Sequence, residues 1–137
     1  CFGAPFMVWP PTTYASLLGE RLAAQKARVW LVNTGWTGGP YGVGHRMPIG
    51  HTRSLITAAL SGALDSVESQ TDPIFNIDVP VSCPGVSSEV LQPRKTWNNA
   101  SDYDSQAAEL AAMFAKNFAS FAEAASAEVV AAGPRVV

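Results

Sequence analysis

The chain has 137 residues, 47% of them hydrophobic and 15% charged, which suits one ordinary domain with a real core and excludes a disordered tail. Nine Lys+Arg against eleven Asp+Glu leave a formal charge of -2, so the broad basic footprint of a nucleic-acid binder is missing and any anion site must be local. No apolar run approaches the roughly 20 residues of a membrane-spanning helix and no basic-then-apolar start reads as a signal peptide, so a soluble, cytoplasmic chain is expected.

The sequence opens at Cys1, without a methionine, in the run CFGAPFMVWP, which is apolar enough to be buried. Such a start reads as that of an excised piece. Pro10 and Pro11 end this segment, and Thr12 or Thr13 is placed to cap a helix. Its apolar residues Tyr14, Leu17, Leu18 and Leu22 recur at helical spacing, and it should stop near Lys26 or Ala27. Val29, Trp30, Leu31 and Val32 follow as an uninterrupted apolar run, the pattern of a strand covered on both faces, with Trp30 in the core.

From 33 to 50 there are six glycines and two prolines in eighteen residues, too long and too breaker-rich for an ordinary connection. A second helix is expected from His51 or Thr52, carrying Leu55, Ile56, Ala59 and Leu60 inward and ending at Gly62, where a left-handed cap suits glycine. Ile74, Ile77, Val79 and Val81, interrupted by Pro73 and Pro80, predict a strand or edge strand. The stretch to Asn99 reads mostly as loop, with turns at Pro84-Gly85 and Pro93. A long final helix is expected from Ser101, where Ser101-x-x-Asp104 is a variant of the capping box. Its face of Ala107, Leu110, Ala111, Phe114, Phe118 and Phe121 should be buried on one side. The alanine- and valine-rich tail reads as a short helix and a frayed end.

The candidate chemistry lies between Gly35 and Arg53. Backbone N–H groups in a glycine-rich turn, a helix N-terminus and an arginine fork are the parts of a nucleotide or anion site, and all three coincide there. Neither GxxxxGK[ST] nor a GxGxxG followed by a helix is present. Each residue also has a plainer role. Arg46 can pair with a surface acid, the Thr52 hydroxyl can cap the second helix, and Arg53 can hold loop carbonyls. Trp36 and Tyr41 either stack on a base or anchor the loop to the body.

His45 and His51 lack a nearby carboxylate and a ligand spacing, so they are not read as a metal pair. Cys1 and Cys83 have no zinc spacing and read as reduced structural thiols. With no Gly-x-Ser-x-Gly elbow, paired-carboxylate motif or ligand cluster, the chain looks like the binding part of something larger.

CFGAPF at 1–6, LVNTGWTGGPYGVGHRM at 31–47 and HTR at 51–53 closely resemble the C-terminal part of ATP-dependent phosphoenolpyruvate carboxykinase. The resemblance continues through PIFNIDVPVSCPGV, LQPRKTW and VAAGPRV, and so covers essentially the whole chain. It implies conversion of oxaloacetate and ATP to phosphoenolpyruvate, carbon dioxide and ADP at the entry to gluconeogenesis, with magnesium and manganese as cofactors. It also implies that residues 1–137 are the C-terminal part of the nucleotide-binding domain. The fold would be α/β, a partial mononucleotide-binding domain with a mixed sheet and flanking helices, completed by upstream sequence of the same protein.

By the same resemblance Arg46 lies against the nucleotide, Met47 beside the adenine, Thr52 on the base and Phe6 near the substrate. The family's phosphate loop, its manganese-holding lysine, histidine and aspartate, and its arginines for oxaloacetate have no match here. The chain alone is therefore expected to be inactive. Two glutamates that bind activating calcium in some bacterial members align with Ser105 and Ala108, which predicts no calcium activation of that kind. Two other readings stand beside this one: a stand-alone noncatalytic nucleotide-binding or regulatory module, and a purely structural fragment.

Overall fold

A proline in the first helical turn costs no hydrogen bond, because the N–H it lacks has no acceptor there. Helix α1, Pro11–Gln25, begins in this way in the computed structural model, which describes residues 3–135. Its N-cap residue is Pro10 and no side chain caps it, so Thr12 and Thr13 lie inside the first turn and do not have the capping role expected of them. The end is where the sequence puts it. Lys26 takes a left-handed φ of 49°, and the N–H groups of Lys26 and Ala27 bond back to Ala23 and Leu22. No residue of α1 is buried, and Tyr14, Leu17 and Leu18 are exposed.

The run Val29, Trp30, Leu31 and Val32 departs most from expectation. It joins no strand among the described residues; Val29 is 62% and Leu31 83% exposed, while Trp30 packs half-buried on the core. A strand exists through its ladder, and the four strands described are taken up in two separate ribbons. Strands β1, Trp36–Thr37, and β2, His45–Arg46, pair antiparallel; so do β3, Ser69–Thr71, and β4, Asp78–Pro80. The chain is thus a partial α/β domain whose strands form two small antiparallel sheets, and one mixed sheet is not formed among the described residues.

The β3–β4 turn places Ile74 outside the expected strand. There the Asp72 carboxylate accepts from the N–H groups of Ile74 at 2.9 Å and Phe75 at 2.7 Å, and Asn76 adopts a φ of 55°. Aspartate and asparagine suit these positions because their short polar side chains stabilise turns and tolerate the left-handed region.

Helix α2, Ile49–Leu60, starts directly after Pro48, earlier than expected, and ends at the left-handed Gly62, φ 76°, as expected. Leu55, Ala58 and Ala59 face the core, whereas Ile56 and Leu60 turn outward to solvent, contrary to the inward placement read from their spacing. Leu55, Ala58 and Ala59 follow the i, i+3, i+4 rule; one further residue in either direction leaves the stripe. The core they join is small: Ala58, Leu64, Cys83 and Leu91 are buried, with Trp30, Val67, Val79 and Val86 packed around them. The Pro84-Gly85 turn is closed by Val86 N–H on the Cys83 carbonyl at 3.1 Å.

In the stretch expected to be mostly loop, a short helix α3, Pro93–Thr96, forms. Helix α4, Ala100–Phe118, is capped by Asn99, whose side chain accepts from the Ser101 N–H at 3.0 Å. The Ser101-x-x-Asp104 box is therefore not made. Asp104 is instead held by Arg94 of α3, at 2.7 and 2.8 Å. Ala107 and Ala111 are buried, but Leu110 and Phe114 of the same face remain exposed. Helix α5, Ala127–Ala131, is capped by Ser126, and beyond it the Arg135 N–H reaches the Ile74 carbonyl at 2.7 Å. The tail is thus docked on the β3–β4 turn through Arg135, not frayed there. The reading of Cys1 as a thiol lies outside the described residues.

Candidate functional site

The glycine-rich segment is organised from its first residue. Asn33 accepts the Gly35 N–H at 2.9 Å through Oδ1 and donates through Nδ2 to the Trp36 carbonyl at 3.1 Å. This local clamp turns the chain into β1. The β1–β2 register sets Trp36 opposite Arg46 and Thr37 opposite His45, and the Met47 N–H then closes the neck on the Gly35 carbonyl at 2.7 Å.

At the far end the Pro40 carbonyl accepts from Val43 and Gly44, at 3.0 and 2.9 Å. Gly44 is required by contact. A Cβ there would stand 2.5 Å from both the Gly39 and Thr37 carbonyl oxygens.

Arg46 is exposed, and the ion pairs among the described residues are Arg28–Asp65 and Arg94–Asp104, so its guanidinium has no carboxylate partner there. The Trp36 indole opposite it meets Tyr41 edge to face, with ring centroids 5.2 Å apart at 77°. An arginine, an indole and a phenol therefore share one exposed hairpin. Met47, the next residue, points the other way: it is 9% exposed and lines an apolar groove of about 790 Å³ with Trp36, Leu55 and Trp30.

Thr52 is the fourth residue of α2 and half-buried. Its N–H makes the helical bond to the Pro48 carbonyl at 3.2 Å, so Thr52 is not the cap. No side chain caps α2 at all, which leaves its first-turn N–H groups and the positive end of its dipole without a side-chain acceptor. In that turn the Nδ1 of His51 is buried with no hydrogen-bond partner. Arg53 is exposed. Phe6 is 86% exposed in a 3-10 turn, Ala4–Phe6, and belongs to no part of the buried core.

Histidine, cysteine, aspartate and glutamate do not converge in threes among the described residues. Cys83 lies in the core with its thiol pushed up by burial, which keeps it protonated. A second groove, about 300 Å³, runs between the β3–β4 turn and helices α3 and α4. On its wall burial pushes the Tyr103 phenol up, helped by the negative charges of Asp72 and Asp104.

Thr96 was invisible to sequence reasoning as a site residue. It touches Thr37 and Gly38 from 59 and 58 positions away. The one sequence signal near it was its place in LQPRKTW, a stretch noted for resemblance and not for chemistry.

A family profile described as phosphoenolpyruvate carboxykinase, the ATP-dependent group, matches residues 1–89. The chain belongs to the ATP-dependent phosphoenolpyruvate carboxykinase family. Phosphoenolpyruvate carboxykinase (ATP) of Thermus thermophilus is 53% identical over 135 residues, 98% of this chain and 26% of its own length. That of Brevibacillus brevis is 53% identical over 137 residues, 99% of this chain and 26% of the relative. That of Alkaliphilus oremlandii reaches 56% over 121 residues, 88% of this chain and 23% of the relative. The chain therefore spans about a quarter of the length of the carboxykinases it matches.

Proposed function

We propose that residues 1–137 form the C-terminal part of the nucleotide-binding domain of an ATP-dependent phosphoenolpyruvate carboxykinase. In this reading they supply the adenine-side wall of a site where oxaloacetate and ATP become phosphoenolpyruvate, carbon dioxide and ADP. The observation that carries the reading is Arg46: an exposed guanidinium with no carboxylate partner among the described residues, set opposite an indole on a glycine-rich hairpin. A planar, permanently charged group of this kind suits the flat base and the negative charge of a nucleotide.

Other residues take supporting roles. Met47 forms the apolar floor beneath the hairpin, beside the adenine, and Thr52 offers a hydroxyl to the base from the first turns of α2. The uncapped N-terminus of α2 favours negative charge nearby. Phe6 stands on the substrate side.

The residues of this chain do not fit a divalent cation, since no ligand trio converges among those described. Magnesium and manganese then belong to other parts of the polypeptide, as do the groups that hold the phosphates. Phosphoryl transfer depends on metal-bridged, positively surrounded phosphates, so the segment alone is inactive. Exposed Leu17, Leu18, Val29 and Leu31 favour a segment of a larger protein over a stand-alone module, because such apolar surface is rarely left open to water. No helix among the described residues is long and apolar enough to cross a membrane, in keeping with a cytoplasmic setting.

The test is a pair of assays. The full-length protein should convert oxaloacetate to phosphoenolpyruvate with ATP, and the isolated 137-residue chain should not. A full-length protein without this activity, or turnover by the isolated chain, would overturn the proposal.

A further inference from the structure

A ribbon of two residue pairs cannot hold its own position, since even full two-stranded hairpins are marginal in water. The β1–β2 ribbon has only the pairs Trp36↔Arg46 and Thr37↔His45. Among the described residues, the side-chain hydrogen bonds that join it to another helix or strand all end on one atom, the hydroxyl of Thr96. That oxygen lies 3.2 Å from the Gly38 N–H, 3.3 Å from the Thr37 hydroxyl and 2.7 Å from the Pro93 carbonyl.

The proton inventory fixes the direction of each bond. A threonine hydroxyl has one hydrogen and two lone pairs. The Pro93 carbonyl can only accept, so the Thr96 hydrogen goes there. The two lone pairs then accept from the Gly38 N–H and from the Thr37 hydroxyl, which must be the donor of that pair. The hydroxyl is saturated, and both bonds it accepts come from the glycine-rich hairpin.

The four-residue helix that carries it is itself tied to α4. Arg94 forks onto Asp104 of α4 with bonds of 2.7 and 2.8 Å. Trp97 meets Tyr103 edge to face at 5.7 Å. The hairpin backbone also comes close to α3, since a Cβ on Gly38 would lie 3.3 Å from the Thr96 carbonyl oxygen.

We propose that Thr96 is a positioning residue for the nucleotide. By holding Thr37 and Gly38 it fixes the pair next to Trp36↔Arg46, and so sets where the guanidinium stands relative to α3. The proposal rests on the nucleotide reading of the hairpin given above. It assigns Thr96 no contact with the reacting atoms. Its loss weakens nucleotide binding and leaves the chemical step and the oxaloacetate side alone.

The experiment compares Thr96→Val, which keeps the shape and loses the hydroxyl, with Thr96→Ser, which keeps the hydroxyl, in the full-length protein. Thr96→Val should raise KM for ATP by roughly five-fold, the effect of losing about one net hydrogen bond. KM for oxaloacetate and kcat should stay within about two-fold, since a purely uniform binding contribution is lost. Thr96→Ser should restore KM for ATP. Hydrogen exchange of the segment 36–46 should quicken in Thr96→Val and recover in Thr96→Ser.

An unchanged KM for ATP in Thr96→Val overturns the proposal, as does failure of serine to rescue, or a parallel change in both KM values and kcat. Arg46→Ala separates the two levels. If it weakens ATP binding while Thr96→Val does not, the positioning role alone fails; if neither moves ATP, the nucleotide reading fails with it. Should Thr96→Val not fold, Thr37→Val removes one of the same bonds from the hairpin side. It must raise KM for ATP selectively, or the proposal falls.

Discussion

Trp36 and Arg46 face each other across the β1–β2 ribbon, one ring and one cation from opposite sides of a glycine-rich loop. Arg46 does not depend on the hydrophobic core for its place, because it is exposed on a ribbon of two pairs. Arg46→Ala should therefore separate binding from stability. ATP affinity of the full-length protein should fall by about 1 to 2 kcal/mol, roughly 5- to 30-fold, with a melting temperature within about 2 °C of the parent, as for surface substitutions generally. Calorimetric titration with ATP and a thermal melt measure the two quantities. An unaltered affinity sinks the nucleotide role of Arg46.

Gly44→Ala should act in the opposite way, through structure first. The new methyl would stand 2.5 Å from two carbonyl oxygens, so the hairpin must open to admit it. A cost of about 1 to 3 kcal/mol is expected, in the range of overpacked sites. Nucleotide affinity should drop with it, because Arg46 sits two residues on. Wild-type affinity with wild-type stability would show that the neck is not as tight as its geometry.

Arg94 and Asp104 make a pH-dependent contact of known sign. The hydrogen bond from Arg94, then its charge, holds the Asp104 carboxyl below the ordinary carboxylate range. Between the depressed native value and the ordinary one, the unfolded state binds more protons than the native state, so stability rises with pH there. The contribution is present above the ordinary range and lost as pH falls through the native value. Because the pair is largely exposed, it is small. The melting-temperature difference between the parent and Asp104→Asn should be greatest near neutrality and vanish in acid. A difference that grows on acidification contradicts the assignment.

Cys83 should be slow to react. Burial raises its thiol, which removes the thiolate that attacks electrophiles, and the core blocks access. Iodoacetamide at neutral pH should label Cys83 at least about ten-fold more slowly than a free thiol, and at the free rate after denaturation. Mass spectrometry of the labelled peptide reads both, and prompt labelling of native protein would refute the buried placement.

Calcium should not stimulate the full-length enzyme. Ser105 gives its hydroxyl to the Ser101 carbonyl at 3.0 Å and the Ala108 side chain has no oxygen, whereas calcium takes six to eight oxygens with carboxylates prominent. Activity measured with saturating magnesium and manganese should be flat across added calcium. Stimulation would refute this.

Local patterns were legible and distant ones were not. Gly62 marked the end of α2 because a left-handed cap is a property of one residue and its neighbours. Pro73 and Pro80 marked breaks for the same reason, the first lying in the β3–β4 turn and the second ending β4. The Val29 to Val32 run misled because apolarity reports burial and says nothing of a ladder partner; its neighbours among the described residues supply no such partner. Asn99 took the cap from Ser101 through an offset of two positions that helix-end patterns do not resolve.

In the candidate site, Arg46, Met47 and Thr52 were named from the sequence, but Arg46 and Met47 turned out to face opposite sides of the ribbon, outward and into the groove. Thr96 could not be found from spacing, since its partners lie 58 and 59 positions away and the contact exists only once α3 is folded onto α4.

The collar formed by Gly35, Met47, Gly39 and Gly44 has a consequence for how this loop can vary. Beyond the collar, Tyr41, Gly42 and Val43 are exposed. Exposure does not make the tip free to vary, because the Val43 N–H closes on the Pro40 carbonyl at 3.0 Å and Tyr41 meets Trp36 edge to face. A peptide tag or fluorescent reporter inserted at these positions would be felt at Arg46 through Trp36, its register partner.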